Sequence, residues 1–252
     1  MYNRNTLTMR YCFIICLMLF FCCGKKQAAV EAPTCKLASI SKYGTFYPLT
    51  YNGTKIVEVG NDPSSNSVLT YNNTGRLATI ELPSKDPTYK TEFFYNDEGK
   101  ISMEKNYEKR GTNWVENTVF FFTYTNGKVI AIRETVQWAS PALEYDHEVI
   151  WDGNNIRSII IRSGATAICT QQYSYDTTRK NPVSALIDLY NVENLRPSFK
   201  MPLYFSANLL IKEDTNCPSV QTTNITYDLS DSLHLKIYTN GNEYLAYNYE
   251  CR

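Results

Sequence analysis

The residues of this chain best suited to chemistry are two histidines, four cysteines beyond residue 30 and a scatter of acidic side chains in turns. His147 sits in Glu144-Tyr145-Asp146-His147-Glu148 and His234 in Leu233-His234-Leu235, far apart in sequence. A lone histidine on a strand is more often a satisfied or surface residue than a general base. Gly-x-Ser-x-Gly, His-Glu-x-x-His, a Walker segment and Gly-x-Gly-x-x-Gly are all absent, so the common nucleophile, zinc-protease and nucleotide signatures are missing. Two facing carboxylates for glycoside hydrolysis leave no spacing signature. The exposed candidates, Asp97-Glu98 and Asp152, are accounted for by their turn positions. Cys35, Cys169, Cys217 and Cys251 show no C-x₂₋₄-C spacing, and there is no EF-hand, so neither metal nor cofactor is expected. No catalytic residue is assigned and the chain is expected not to be an enzyme.

Binding chemistry is better represented. Twenty Tyr, eleven Phe and three Trp stand in 252 residues. Exposed rings such as Trp114, Trp138, Trp151 and Tyr244 are candidates for stacking on sugar faces, although most rings in such a chain belong to the core. Aromatic and β-branched residues also favour strands, where a flat ring packs on a pleated surface.

The first residues read as a processing signal. Arg4 and Arg10 precede an apolar run, Tyr11 to Phe21, that is short for a membrane-spanning helix. The following Leu19-Phe20-Phe21-Cys22-Cys23-Gly24 resembles the lipobox of bacterial lipoproteins, in which a small residue precedes the cysteine that is acylated. Cys23 is the expected lipidation site, with Cys22 the alternative, and three acyl chains at about 0.8 kcal/mol per buried CH₂ anchor a protein firmly. The expected organisation is a signal at 1–22, a lipidated tether at 23–34 and one β domain at 35–252. Removing the signal leaves 23 basic and 25 acidic residues, too balanced for nucleic-acid binding. In an oxidising compartment Cys35, Cys169, Cys217 and Cys251 form two disulfides, with three connectivities open.

One unit recurs along the domain: Tyr51-Asn52-Gly53-Thr54-Lys55-Ile56, Tyr71-Asn72-Asn73-Thr74-Gly75-Arg76-Leu77, and Tyr95-Asn96-Asp97-Glu98-Gly99-Lys100-Ile101. It continues at Tyr124-Thr125-Asn126-Gly127-Lys128-Val129, Trp151-Asp152-Gly153-Asn154-Asn155-Ile156 and Tyr175-Asp176, with weaker copies at Tyr204 and Tyr227. Asn or Asp suits the tight turn and Gly supplies positive φ. Asn52-Gly53 and Asn126-Gly127 suit two-residue type I′ turns, and the Asn-x-x-Gly versions suit a type I turn closed by a glycine bulge. The Lys or Arg after the turn is expected in water at the sheet rim, where it discourages edge pairing. Copies spaced 20 to 29 residues apart give two strands each, hence an extended antiparallel meander of about 14 to 18 strands. Asn52, Asn72 and Asn224 begin N-x-[ST] triplets, read here as turn chemistry.

Phe120-Phe121-Phe122 and Ile159-Ile160-Ile161 place apolar residues on both faces of their strands, so the sheet must curl, form two layers or meet a partner. The spacing of Val183 to Tyr190 predicts one short helix near 183–190.

The Tyr-Asx-x-x-Gly-Lys/Arg-Leu/Ile unit resembles the YD repeats of the RHS family. The lipobox, the serial hairpins and the Arg179-Lys180-Asn181-Pro182 segment together are similar to a family of uncharacterised Bacteroidetes outer-membrane lipoproteins. That resemblance implies an all-β hairpin-repeat domain on an outer-membrane anchor, and no activity. Separately, Asp176-Thr177-Thr178 and Asp231-Ser232-Leu233 resemble the O-glycosylation triplet of Bacteroidetes secreted proteins. The expected function is a lipid-anchored, non-enzymatic binding or scaffold module for a glycan or an envelope protein. The alternatives are a glycan-active hydrolase and a structural protein docking a partner through a sheet face.

Overall fold

A computed structural model describes residues 35–60, 66–83, 88–184, 200–231 and 234–251. Strands β1 (Cys35–Lys42), β2 (Thr45–Asn52), β3 (Lys55–Val59), β4 (Ser67–Tyr71), β5 (Leu77–Leu82) and β6 (Tyr89–Tyr95) come first. They are followed by β7 (Ile101–Arg110), β8 (Asn113–Thr125), β9 (Lys128–Val136), β10 (Leu143–Asp152), β11 (Asn155–Ser163) and β12 (Thr166–Lys180). A helix, α1 (Lys200–Phe205), precedes β13 (Asn208–Asn216), β14 (Val220–Asp231), β15 (His234–Thr239) and β16 (Asn242–Cys251). Each strand pairs with the next, and β16 lies beside β1, so the all-β meander closes into a 16-strand antiparallel barrel. Closure resolves the two-faced strands, because curling gives the sheet an inside and removes its edges.

Two units divide the described chain by compactness: residues 36–250, which hold the barrel, and a second that takes in Cys35 and Cys251. Within the second, Cys35 and Cys251 form a disulfide across 216 residues of sequence. Cys169 on β12 and Cys217 just after β13 form the other, across 48 residues. At the seam, Asn248 Nδ2 on β16 donates to Ser39 Oγ on β1 (2.9 Å), and the Tyr43 amide donates to the Tyr244 carbonyl (3.0 Å).

The alternation is plainest on β10, where Asp146 and Glu148 are exposed while His147 and Val149 are buried. The inward set packs as one core including Ile132, Val149, Ile156, Ile159, Tyr173, Leu210 and Ile237. Of the apolar triplet on β8, Phe120 turns in and is 4% exposed, while Phe121 turns out at 45%.

Several expectations are corrected. The hairpins are not a row of repeat units: strands range from 5 to 15 residues and share one closed wall. At 182–184 the chain makes a single 3₁₀ turn, and the rest of the expected helix lies outside the described residues. A short α-helix is formed by Lys200–Phe205, so the weak copy at Tyr204 is helical and its ring is fully buried. Asn126 and Gly127 both take positive φ, 50° and 81°, as a type I′ turn requires. The Asn52-Gly53 turn is shifted by one residue: Asn52 pairs with Lys55, leaving Gly53-Thr54 at the bend with Gly53 alone at positive φ. The longer turns match their expectation. Asn72 and Asn96 each accept the amide of Gly75 or Gly99 at the carbonyl, and that of Arg76 or Lys100 at Oδ1.

Candidate functional site: a stitched rim and its cavity

The repeated unit does its structural work between hairpins, at one end of the barrel. The ladder between β3 and β4 ends at Glu58↔Val68, that between β5 and β6 at Thr79↔Glu92, and that between β7 and β8 at Met103↔Phe121. Beyond those pairs the strands splay, and the carbonyl two residues further on has no ladder partner. Tyr71 Oη donates to Ile56 O (2.7 Å), Tyr95 Oη to Leu77 O (2.6 Å) and Tyr124 Oη to Ile101 O (2.9 Å). Tyr51 does the same to Leu37 O, Trp151 Nε1 to Val129 O, Tyr175 to Ile156 O and Tyr227 to Leu210 O. Each aromatic thus satisfies a main-chain acceptor that the splay would orphan.

In five of the seven copies the residue before the acceptor completes the contact. Lys36 lies over Tyr51 (4.6 Å to the centroid), Lys55 over Tyr71 (4.8 Å) and Arg76 over Tyr95 (5.4 Å). Lys100 lies over Tyr124 (5.4 Å) and Lys128 over Trp151 (5.1 Å). The charge expected free in water at the rim is therefore spent on the next copy's ring, an attraction worth roughly 0.5–1 kcal/mol at an exposed site. The glycine of the next turn leaves room for it: a Cβ at Gly99 would stand 2.1 Å from Arg76 Nη2, and one at Gly75 would stand 3.1 Å from Lys55 Nζ. Burial raises the Tyr124 phenol to about 12 and also raises those of Tyr175 and Tyr227, so all three stay protonated donors.

The series breaks at Asn155, where a cation would stand. There the chain after α1 docks: Asn155 Nδ2 donates to Asn208 Oδ1 (3.0 Å) and Asn155 Oδ1 accepts the Asn208 amide (3.0 Å). Ser206 Oγ accepts the Ile156 amide and donates to Tyr175 Oη. Met201, Leu203 and Tyr204 of α1 are buried, and the Tyr204 and Tyr247 hydroxyls meet at 2.6 Å.

Between the stitched hairpins and α1 lies a cavity of about 670 Å³, within the range of about 300–1,000 Å³ usual for small-molecule sites. Ile56, Leu77, Ile101, Phe122, Met201 and Phe205 give it apolar surface, and Tyr71, Tyr95 and Tyr124 line it beside Lys55, Arg76 and Lys100. No Asp or Glu is among the described residues that line it. Lys100 pairs with exposed Glu98 (2.6 Å), which holds that carboxyl below its ordinary value. Lys55 and Arg76 make no ion pair among the described residues.

The sequence-derived candidates are not gathered in one place. Trp151 has its face covered by Lys128, and Trp114 on β8 lies under Lys90 and Lys109 (4.9 and 5.7 Å). Tyr244 is 5% exposed and packs edge-on against Tyr43, leaving Trp138, in the turn before β10 and 67% exposed, as the open ring of the four. His147 is buried and bonded to Glu134 (3.0 Å), a satisfied pair, and His234 opens β15. Asp97 and Glu98 are exposed in their turn and Asp152 ends β10. No cluster of three potential metal ligands occurs among the described residues. Cys22 and Cys23 lie outside the described residues. Asp176 caps its own triplet, accepting the Thr178 amide and hydroxyl, while residues 232–233 of the second triplet are outside the description. Sequence reasoning missed the cavity role of Lys55, Arg76 and Lys100, although the cation that recurs within two residues of the turn glycine in these three copies was the signal for them.

The outer wall carries charge: Arg133 pairs with Asp146 (3.0 Å) and Arg162 with Glu148 (3.3 Å), with Arg133, Asp146 and Glu148 exposed and Arg162 half-buried. Lys212–Asp214 and Lys236–Glu243 repeat this on β13, β15 and β16.

No family model and no curated protein matches this chain. Among solved structures, a porin-like protein from Bacteroides vulgatus ATCC 8482 superposes with a TM-score of 0.54 at 14% identity, covering 86% of this chain and 98% of its own. A porin-like protein from Bacteroides uniformis ATCC 8492 aligns over the same shares at 13% identity and a TM-score of 0.39. The first of these shares the closed antiparallel barrel fold of this chain.

Proposed function

We propose that the protein is a non-enzymatic binding lipoprotein of the bacterial cell envelope, anchored in the outer membrane through acyl chains on Cys23, with the mouth cavity as its ligand site. The observation that carries this is the cavity itself: concave, largely apolar, edged by Lys55 and Arg76, which make no ion pair among the described residues, and framed by a rim that the aromatic stitches tie together. Such concave apolar sites with a few placed polar groups are where small ligands bind.

The charged outer wall supports a barrel that stands in water. A cation facing lipid costs about 2–4 kcal/mol at the bilayer midplane, and this wall carries several. Attachment then falls to the N-terminal lipid, which the Leu19 to Cys23 pattern supports. The porin-like name of the Bacteroides vulgatus structure agrees with an envelope setting.

Two measurements test the reading. Cell fractionation follows the wild-type chain to the membrane, and Cys23→Ser releases it. A thermal-shift screen of small molecules and glycans returns a stabilising ligand, whereas turnover on a panel of chromogenic glycosides would replace the binding role with a hydrolytic one.

A further inference from the structure

We propose that the ligands of this cavity are amphipathic anions: compact molecules with an apolar body and one carboxylate, sulfonate or phosphate head. The inference rests on the binding-module reading above and names its ligand class.

Two features of the cavity require the two halves of such a molecule. Apolar side chains from the wall, Phe122 among them, and from α1, Met201 and Phe205, offer a surface that only an apolar body would desolvate with gain. Lys55 and Arg76 hold net charge at its edge, each over a ring face at 4.8 and 5.4 Å and without an ion pair among the described residues. A ring face engages one side of a cation and leaves N–H donors for an oxyanion. Arg76 is also exposed at the mouth while its guanidinium lies over the bare Gly99, so the fork is placed without a competing side chain. The cations recur every second strand, about 10 Å apart, which places one head group within reach of one or two of them.

A neutral apolar ligand would leave these charges beside low-dielectric surface without compensation. An acidic glycan would satisfy them, but the sugar-stacking faces of Tyr71, Tyr95 and Tyr124 are already covered by Lys55, Arg76 and Lys100. The covered ring faces therefore favour the amphiphile over the polysaccharide.

A matched pair of fluorescent probes tests this. 1-Anilinonaphthalene-8-sulfonate and N-phenyl-1-naphthylamine share one apolar body and differ by the sulfonate. The sulfonate is expected to bind the purified protein at one site, at least tenfold more tightly than the amine, and to be displaced by laurate. Arg76→Gln and Lys55→Gln should each weaken the sulfonate by roughly tenfold, the scale of one charge-assisted hydrogen bond, and leave the amine unchanged, whereas Arg76→Lys, which keeps the charge at 76, should retain the preference for the sulfonate. Phe205→Ala should weaken both probes. Equal affinity for the two probes, or charge variants without effect, would overturn the assignment, as would displacement by polygalacturonate but not by laurate. Should the ligand screen succeed while the sulfonate shows no preference, the binding module stands and the amphipathic-anion assignment falls.

Discussion

The Arg76 guanidinium lies 5.4 Å from the centre of the Tyr95 ring, and Tyr95 Oη donates to the carbonyl of Leu77, the residue that follows Arg76. One side chain thus clasps two consecutive residues of the hairpin before it. Repeated around the rim, this clasp turns a run of separate hairpins into a continuous wall where the main-chain ladder has already ended.

The clasp can be taken apart in two steps. Tyr95→Phe keeps a π face for Arg76 but orphans the Leu77 carbonyl, and should cost about 1 kcal/mol. Tyr95→Leu loses both contacts and should cost about 2 kcal/mol. Urea denaturation at unchanged m-value measures both. Equal losses would show that the ring, and not the hydroxyl, holds the hairpins together.

Gly99 tests the steric half of the arrangement. It has φ +79° and a Cβ there would meet Arg76, whereas Gly44 has φ +77° with nothing within 4 Å. Gly44→Ala should cost only the left-handed penalty of about 1–2 kcal/mol. Gly99→Ala should cost more, and introducing it into Arg76→Ala should return the difference to the Gly44→Ala level.

The two disulfides should differ in worth. Closing 216 residues restricts the unfolded chain more than closing 48, by about 1 kcal/mol in the loop-entropy model. Cys35→Ser with Cys251→Ser should therefore lower the chemical denaturation midpoint further than Cys169→Ser with Cys217→Ser. The opposite order would mean that residual structure in the unfolded chain governs the effect.

Glu213 should give the protein an acid-side stability gain. Its side chain is buried, with Tyr173 and Thr223 as cross-strand neighbours, and burial raises its carboxyl from 4.5 to about 7. Below pH about 4.5 both folded and unfolded chains hold the proton. As pH rises from about 4.5 to 7 the unfolded chain releases it first, so stability falls by up to about 3 kcal/mol and levels off above 7. Denaturation across that window should show the decline, and Glu213→Gln should flatten it. A Glu213→Gln protein with the wild-type slope would place the titration elsewhere.

What was legible in the sequence is local. Asn72 to Arg76 and Asn96 to Lys100 carry their own turn chemistry, so bends, strand alternation and the approximate strand number could be read from residues a few positions apart. The candidate site was legible only in part: the cations of the turns, Lys55, Arg76 and Lys100, could be read from the repeat, but they were expected in water at the rim and not over a neighbouring ring. Placing them there required knowing that β3 and β4, or β5 and β6, part company before their turns.

By themselves, then, the residues determined an all-β chain of serial bends with an oxidisable set of cysteines, because those properties depend on neighbours within one turn or one strand. The tertiary structure alone decided that β16 meets β1, that Cys35 pairs with Cys251, that α1 docks where Asn155 replaces a cation, and that Lys55, Arg76 and Lys100 edge one cavity. Each of these is set by which strands come to lie side by side once the barrel closes, a long-range outcome that no short window of sequence encodes.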